Sequence, residues 1–230
     1  RKPWQTVALY VFVVILSVVI LYPYFVMFIT SLKSNDEMYA VSSILPQAWQ
    51  WQNYLDIWKQ APVFKFLLNS IIVAGGSTAL AIVCGIPAAY ALARMRFKGK
   101  GFFMGAVIMS QMFSPVVLLV GIYRMMVSLN LTDSILGLIL LNAAFNQAFT
   151  VWLLRGTFMS ISPEMEQAAK IDGCGTIKAM IKGLLPMAAP GIITTLIFVF
   201  INAWNEYTIA LTLISTETFK PMTVGINVFY

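Results

Sequence analysis

The chain has 230 residues, of which 60% are hydrophobic and only 10% charged, with a formal net charge of +6 and no histidine. Soluble domains run at roughly 45–50% apolar and about 25% charged residues, so a soluble globular class is excluded. The missing histidines remove the commonest metal ligand and the commonest general acid or base, which argues against a metal site, a cofactor-dependent centre or a membrane hydrolase.

A helix rises about 1.5 Å per residue, so roughly 20 apolar residues cross a hydrocarbon layer of about 30 Å. Five apolar blocks meet that length, at about 7–28, 68–92, 102–120, 135–154 and 185–203. They predict an all-α polytopic transmembrane helix bundle, taken as a single domain over 1–230. The first block follows Arg1 and Lys2 as a signal peptide would, but its apolar core is too long and no small-x-small cleavage site follows, so it reads as a retained span. Cys84 lies in an apolar block and Cys174 in a polar loop, which gives no disulfide framework.

The basic residues fix the orientation. With the N-terminus cytoplasmic, the inner segments hold Arg1, Lys2, Arg94, Arg96, Lys98, Lys100, Arg155, Lys170, Lys178 and Lys182. The outer segments hold Lys33, Lys59, Lys65, Arg124 and Lys220, half as many, as the positive-inside bias requires. The net charge is therefore a topology signal, and nucleic acid is not an expected partner. The outer loop at about 30–63 carries Trp49, Trp51, Tyr54 and Trp58, residues that anchor at the interface with membrane lipid or meet an external partner.

No Asp, Glu, Lys or Arg lies within the second to fifth blocks. A charge at the bilayer centre costs about 2.5–3.5 kcal/mol, and ion-coupled carriers accept that cost at their coupling sites. An ion-coupled carrier is accordingly disfavoured. There is no G-x-x-x-x-G-K-[ST] loop either, so an active transporter built from this chain takes its energy from a partner. The blocks do contain amides: Gln111 in the third, Asn142 and Asn146 on one face of the fourth, and Asn202 and Asn205 at the end of the fifth. Beside Phe145, Phe149, Trp152 and Trp204 they suit a path for a neutral polyhydroxylated solute, or else they bond neighbouring helices. Pro87 and Pro115 fall inside blocks and each removes a helical hydrogen bond, while Gly75, Gly76 and Ser77 offer a small-residue surface for close helix contact.

The stretch SISPEMEQAAKIDGCGTIKAMIKGLLPMAAP at 160–190 falls on the cytoplasmic side. Ser162 can cap a helix that begins at Pro163, with Glu164 and Glu166 in its first turn. Ile161, Met165, Ala168 and Ala169 share roughly one face, Asp172-Gly173 is a turn pair, and a second short helix is expected at about 176–182 before Pro186 opens the next span. The prediction is a compact helix–turn–helix on the membrane surface.

This stretch resembles the coupling loop of ABC importer permeases, E-A-A-x-x-x-G with a proline thirteen residues after the glycine. Gly173 and Pro186 have that spacing, and Ala168, Ala169 and Asp172 are in register. The first position is Gln167, with Glu166 one step earlier, a departure that bears on a polar contact to the ATPase. NSIIVA (69–74), YALARMRFKG (90–99), LLRGTF (153–158) and AWNEYTIALTLI (203–214) are similar to maltose-type carbohydrate permeases, and within them to the shorter of two paired chains. The resemblance implies a non-catalytic sugar permease in a bacterial or archaeal cell membrane, paired with a second permease subunit as a heterodimer. It implies an ATPase dimer that docks on a coupling loop at about 158–186 and an extracytoplasmic solute-binding protein that delivers cargo. Glu166, Gln167, Ala168, Ala169, Asp172, Gly173 and Pro186 are then the coupling residues. Gln111, Asn142, Asn146, Asn202 and Asn205 are candidates for the translocation path. Such permeases have six spans here, so a sixth is expected beyond the chain.

Other readings are weighed beside this one. The same importer type could carry a polyol, glycerol phosphate, a peptide or an amino acid, although anionic cargo favours basic residues along the path and the blocks have none. A membrane enzyme would need a convergent acid, base or metal group, and Glu206 beside Asn202 and Asn205 is a single carboxylate without a partner acid.

Overall fold

The structure, a computed structural model, describes residues 3–39, 45–171 and 173–229. It divides into two compact units, 1–62 and 63–230.

In the first unit, α1 (Pro3–Ser31) is 29 residues long with Pro23 inside it, about 43 Å of helix at 1.5 Å per residue. Its side chains are apolar all round and exposed along almost the whole length, the pattern of a helix whose solvent is lipid. Two short helices follow, α2 (Asn35–Tyr39) and α3 (Asn53–Gln60). The amide of Asn53 donates to the carbonyls of Ser31 and Lys33, both at 3.1 Å, and so fastens the start of α3 to the end of α1 and the residues just past it. Trp49 and Trp51 stack with ring centroids 6.4 Å apart, both more than half exposed.

The second unit is built on α4 (Val63–Arg94), with α5 (Lys100–Ser110) and α6 (Pro115–Ser128) leading to α7 (Ile135–Ser160). After α8 (Pro163–Ile171) and α9 (Thr176–Ala179), a π-helical turn at Met180–Leu184 runs directly into α10 (Leu185–Trp204). The helices α4, α7 and α10 pack on one another and form the core. The α4 face toward α7 is a line of small residues, Ala74, Ser77, Ala81, Gly85 and Ala89. A Cβ at Gly85 would lie 2.6 Å from Thr150 Cγ2, and one at Gly191 would overlap Thr157 Cγ2. The helices therefore approach backbone to side chain, as spans do when packing rather than hydrophobicity joins them. Gly76 and Ser77 belong to this contact, whereas a Cβ on Gly75 would meet nothing. Several hydroxyls in the core bond within their own helices: Ser77 bonds the Val73 carbonyl at 2.6 Å, Thr78 the Ala74 carbonyl at 2.6 Å, and Thr195 the Gly191 carbonyl at 2.8 Å.

Among the described residues, four helices are long and apolar enough to cross a membrane. A fifth span arises only if α5 and α6, which meet at 97°, are counted as one. The continuous third span expected at about 102–120 is thus broken, and the proline is the reason. Pro115 is the first residue of α6, and it forces the preceding Ser114 out of the helical region to ψ 133°. The expected second short helix at 176–182 needs correction too. Its residues are the beginning of one 29-residue helical stretch, Thr176–Trp204, with the π turn in place of a break. Pro186 has no N–H for the preceding turn, and the wider turn accommodates the loss.

Beyond α10 the chain folds back along α4. It forms α11 (Thr208–Leu213), a 3₁₀ turn at Glu217–Phe219, α12 (Met222–Gly225) and a second 3₁₀ turn at Ile226–Phe229. Asn69 of α4 donates to the carbonyls of Thr218 (2.8 Å) and Lys220 (3.1 Å), and Ser70 accepts from the amide of Met222 at 2.7 Å. Asp133, before α7, accepts from the amides of Ser215 and Thr216 and from the Thr216 hydroxyl. These bonds tie the start of α7 to the returning segment.

Candidate coupling site and translocation path

The helix–turn–helix is built as its local sequence requires. Ser162 Oγ accepts from the amide of Glu164 at 3.3 Å, and Pro163 opens α8, where its lack of an N–H costs nothing. Gly173 has φ +81°, the left-handed region that L side chains rarely adopt, and it turns the chain from α8 toward α9. Gly175 then stands before α9. Asp172 lies outside the described residues, and Ala168 and Ala169 are placed in α8 without described side chains. Pro186 is exposed in the first turn of α10.

The two polar residues at the head of the motif point in different directions. Gln167 is exposed. Glu166 is 6% exposed and turned inward, against the end of α4. Its Oε1 accepts from the Tyr90 hydroxyl at 2.5 Å, and its Oε2 lies 3.5 Å from Arg94 Nε, an ion-pair contact without a hydrogen bond from that nitrogen. Arg94 also donates through Nη2 to the carbonyl of Ile161 at 2.8 Å, which ties the chain just past α7 to the same point. Both charges are largely withdrawn from solvent, with side-chain exposures of 11% for Arg94 and 7% for Glu166. Removing one partner from such a pair typically costs about 3–5 kcal/mol, because the other charge is left buried.

Facing away from the bundle, the loop presents apolar side chains: Met165 (48% exposed), Ile171 (86%) and Ile177 (71%). Ile171 and Ile177 flank the Gly173 turn and were not among the residues singled out by sequence. Their signal in the sequence is an isoleucine on either side of the Asp172-Gly173 turn pair.

The path candidates divide by position. Gln111 sits at the break between α5 and α6, where its amide is 3.4 Å from the Phe145 carbonyl of α7. An open groove of about 660 Å³ lies between the broken span and α7, lined by Gln111, Phe113, Pro115, Leu141 and Phe145. A second groove, about 370 Å³, is lined by Val107, Gln111, Phe149 and Trp152. Asn205 borders a further groove with Phe200, Ile201 and Trp204, and Asn202 is exposed. Asn142 (2% exposed) and Asn146 (9%) are instead buried in the packing of α7. Each amide donates to the carbonyl one turn back, at 3.0 and 2.9 Å, so the pair is satisfied within its own helix. Glu206 caps α11, accepting from the amides of Ile209 (2.7 Å) and Ala210 (3.0 Å). Burial pushes its carboxyl above the usual range, and the capping amides oppose that rise.

Helices of membrane length, a broken span beside an open groove and a surface helix–turn–helix anchored on the bundle define the transmembrane part of a transport permease. The chain belongs to the family described as the binding-protein-dependent transport system inner membrane component, which it matches over residues 81–228. It is 33% identical to the ABC transporter permease protein YurM of Bacillus subtilis over 231 aligned residues, covering 100% of this chain and 77% of that one. It is 37% identical to the sulfoquinovosyl glycerol transport system permease protein SmoH of Agrobacterium fabrum, over 91% of this chain and 74% of the relative. Among solved structures, a chain of a bacterial ABC transporter involved in import of the acidic polysaccharide alginate superposes with a TM-score of 0.82. That match covers 96% of this chain and 78% of the other at 24% identity, and it shows the fold. The protein is thus a multi-pass membrane permease of the ABC importer class.

Proposed function

We propose that the chain, acting as one permease domain, forms half of the translocation path for a sugar and is driven by ATP hydrolysed on a separate subunit. The observation that carries this reading is the α8–Gly173–α9 helix–turn–helix, whose exposed apolar side chains and tight turn suit docking into a cleft of an ATPase. A second permease chain pairs with it as a heterodimer, and an external binding protein delivers the cargo. The N-terminus faces the cytoplasm, on the side favoured by the basic residues. Gln167, Ala168, Ala169, Asp172, Gly173 and Pro186 serve the docking surface. Gln111, Asn202 and Asn205 line the path, and Asn142 and Asn146 set the packing of the helix behind it.

The sugar assignment is supported by the cargo in SmoH's name and by the chemistry of the grooves. Aromatic faces such as Phe149 and Trp152 beside the Gln111 amide suit a ring with apolar faces and hydroxyl edges. The test is reconstitution of the complete transporter carrying Gly173→Leu. ATP hydrolysis is expected to persist while uptake is lost, and normal coupled uptake would count against this function for the loop.

A further inference from the structure

Glu166 falls within the stretch that resembles the coupling motif, yet its side chain is buried against α4 rather than presented outward. Tyr90 and Arg94 are four residues apart on α4, so they share one face a turn apart, at the last turn of that helix. Glu166 bridges the two, with one carboxylate oxygen on each. Because Arg94 also holds the Ile161 carbonyl, a single basic side chain fixes the chain after α7 and the first turn of α8 together.

The loop thus has two attachments of different kinds. Toward its C-terminal end, the π turn makes it continuous with α10. At its start, it is bonded to α4 through the side chains of Tyr90, Arg94 and Glu166 and the Ile161 carbonyl. We infer that Tyr90, Glu166 and Arg94 form a latch that makes α8 move with α4 and the end of α7, so that displacement of the loop by a partner reaches the α4–α7 pair. Glu166 is then a positioning residue, and Gln167 next to it is the one offered to the partner. The latch suits transmission because the Tyr90–Glu166 and Arg94–Ile161 hydrogen bonds are short and the charges beside them are buried, and because the adjoining apolar cluster (Ala89, Tyr90, Leu154, Phe158, Leu184, Ala188) excludes water that would soften the contact.

This inference rests on the importer reading, and the experiment separates the two. The complete transporter, with its ATPase, sister permease and binding protein, is reconstituted in proteoliposomes, and uptake per ATP hydrolysed is measured. A wild-type complex without ATP-dependent uptake overturns the importer reading itself. Given an active wild type, Glu166→Gln and Tyr90→Phe are expected to assemble with the ATPase in normal amount and to lower uptake per ATP about tenfold, the scale of one lost charge-assisted hydrogen bond. The double variant is expected to be no worse than either single one, since both remove the same link. A merely structural role would reduce the amount of assembled complex and leave the ratio unchanged. That result overturns the latch, as does loss of ATPase co-purification in Glu166→Gln with none in Gln167→Ala. If Glu166→Gln fails to accumulate, Tyr90→Phe decides alone, because it removes one hydroxyl and keeps the ring: an unchanged ratio there refutes the latch.

Discussion

Replacing Gly85 by alanine places a carbon 2.6 Å from Thr150 Cγ2 and 3.4 Å from Leu154 Cδ1. Carbon atoms in contact prefer about 3.5–4.0 Å, so α4 and α7 have to separate or Thr150 has to turn. Turning is costly. Thr150 is fully buried, its hydroxyl donates to the Asn146 carbonyl at 2.8 Å, and branching at Cβ limits its rotamers in a helix. Overpacking costs about 1–3 kcal/mol, and this confined site falls in the upper part, about 2–3 kcal/mol, while the better helix propensity of alanine offsets about 1 kcal/mol. The net loss is then about 1–2 kcal/mol, or roughly 2–8 °C in the unfolding midpoint for a chain of this size. Thr150→Ser removes the offending methyl and keeps the hydroxyl, and by itself costs about 1 kcal/mol for the lost buried group. Combined with Gly85→Ala, the two changes are complementary in shape, and the double variant is expected near the wild-type midpoint. The assay is thermal unfolding of the detergent-purified protein followed by tryptophan fluorescence, read as a double-mutant cycle. An unchanged midpoint in Gly85→Ala would refute the close α4–α7 approach, and so would losses that simply add in the double variant.

Gly173→Asn is expected to retain more coupled uptake than Gly173→Leu. Asparagine tolerates the left-handed region at modest cost, and among the described residues nothing beyond the chain neighbours lies within 4 Å of the new Cβ, so the comparison reads backbone strain. Asp133 is held below the usual carboxylate range, first by the Thr216 hydroxyl and then by the Thr216 and Ser215 amides. With the folded pKa depressed, its contribution is complete above about pH 4 and is lost as pH falls through the folded value. The midpoint difference between wild type and Asp133→Asn should therefore shrink on acidification, and remain small throughout because solvent screens the group. A difference that grows below pH 4 would contradict this sign. Gly225→Ala is expected to destabilise, since its Cβ would overlap the Phe66 ring, and Phe66→Leu should relieve part of the loss in the same melting assay.

The features legible in sequence are those whose causes are local. Four long spans follow from apolar length, the start of α8 from Ser162 and Pro163, and the turn from Gly173, because each depends on residues within a turn or two. Hydropathy was blind to the 97° break, since no charged residue falls between 102 and 120 and Met112 and Phe113 keep the average apolar across it. Only the backbone restriction that Pro115 places on Ser114 marked it, and a proline inside an apolar block reads equally well as a kink. The amides show a second limit. Asn142 and Asn146 have the spacing of a lining face, but that same four-residue spacing lets each bond the carbonyl of the preceding turn.

Glu166 shows the deepest limit. A carboxylate in the first turn of a surface helix reads as solvated, and nothing within its own loop says otherwise. Its burial depends on Tyr90, 76 residues earlier, and on Arg94, both of which the topology brings to one point. The motif therefore mixes two kinds of residue that sequence cannot separate: those turned toward a partner and those that hold the loop to its own bundle. The proposed coupling role needs both, since without the second kind a docked loop would pass its motion to α10 alone, through the π turn. Where the second kind sits decides which further helices follow, and the proposed latch at Tyr90, Glu166 and Arg94 selects α4 and the end of α7.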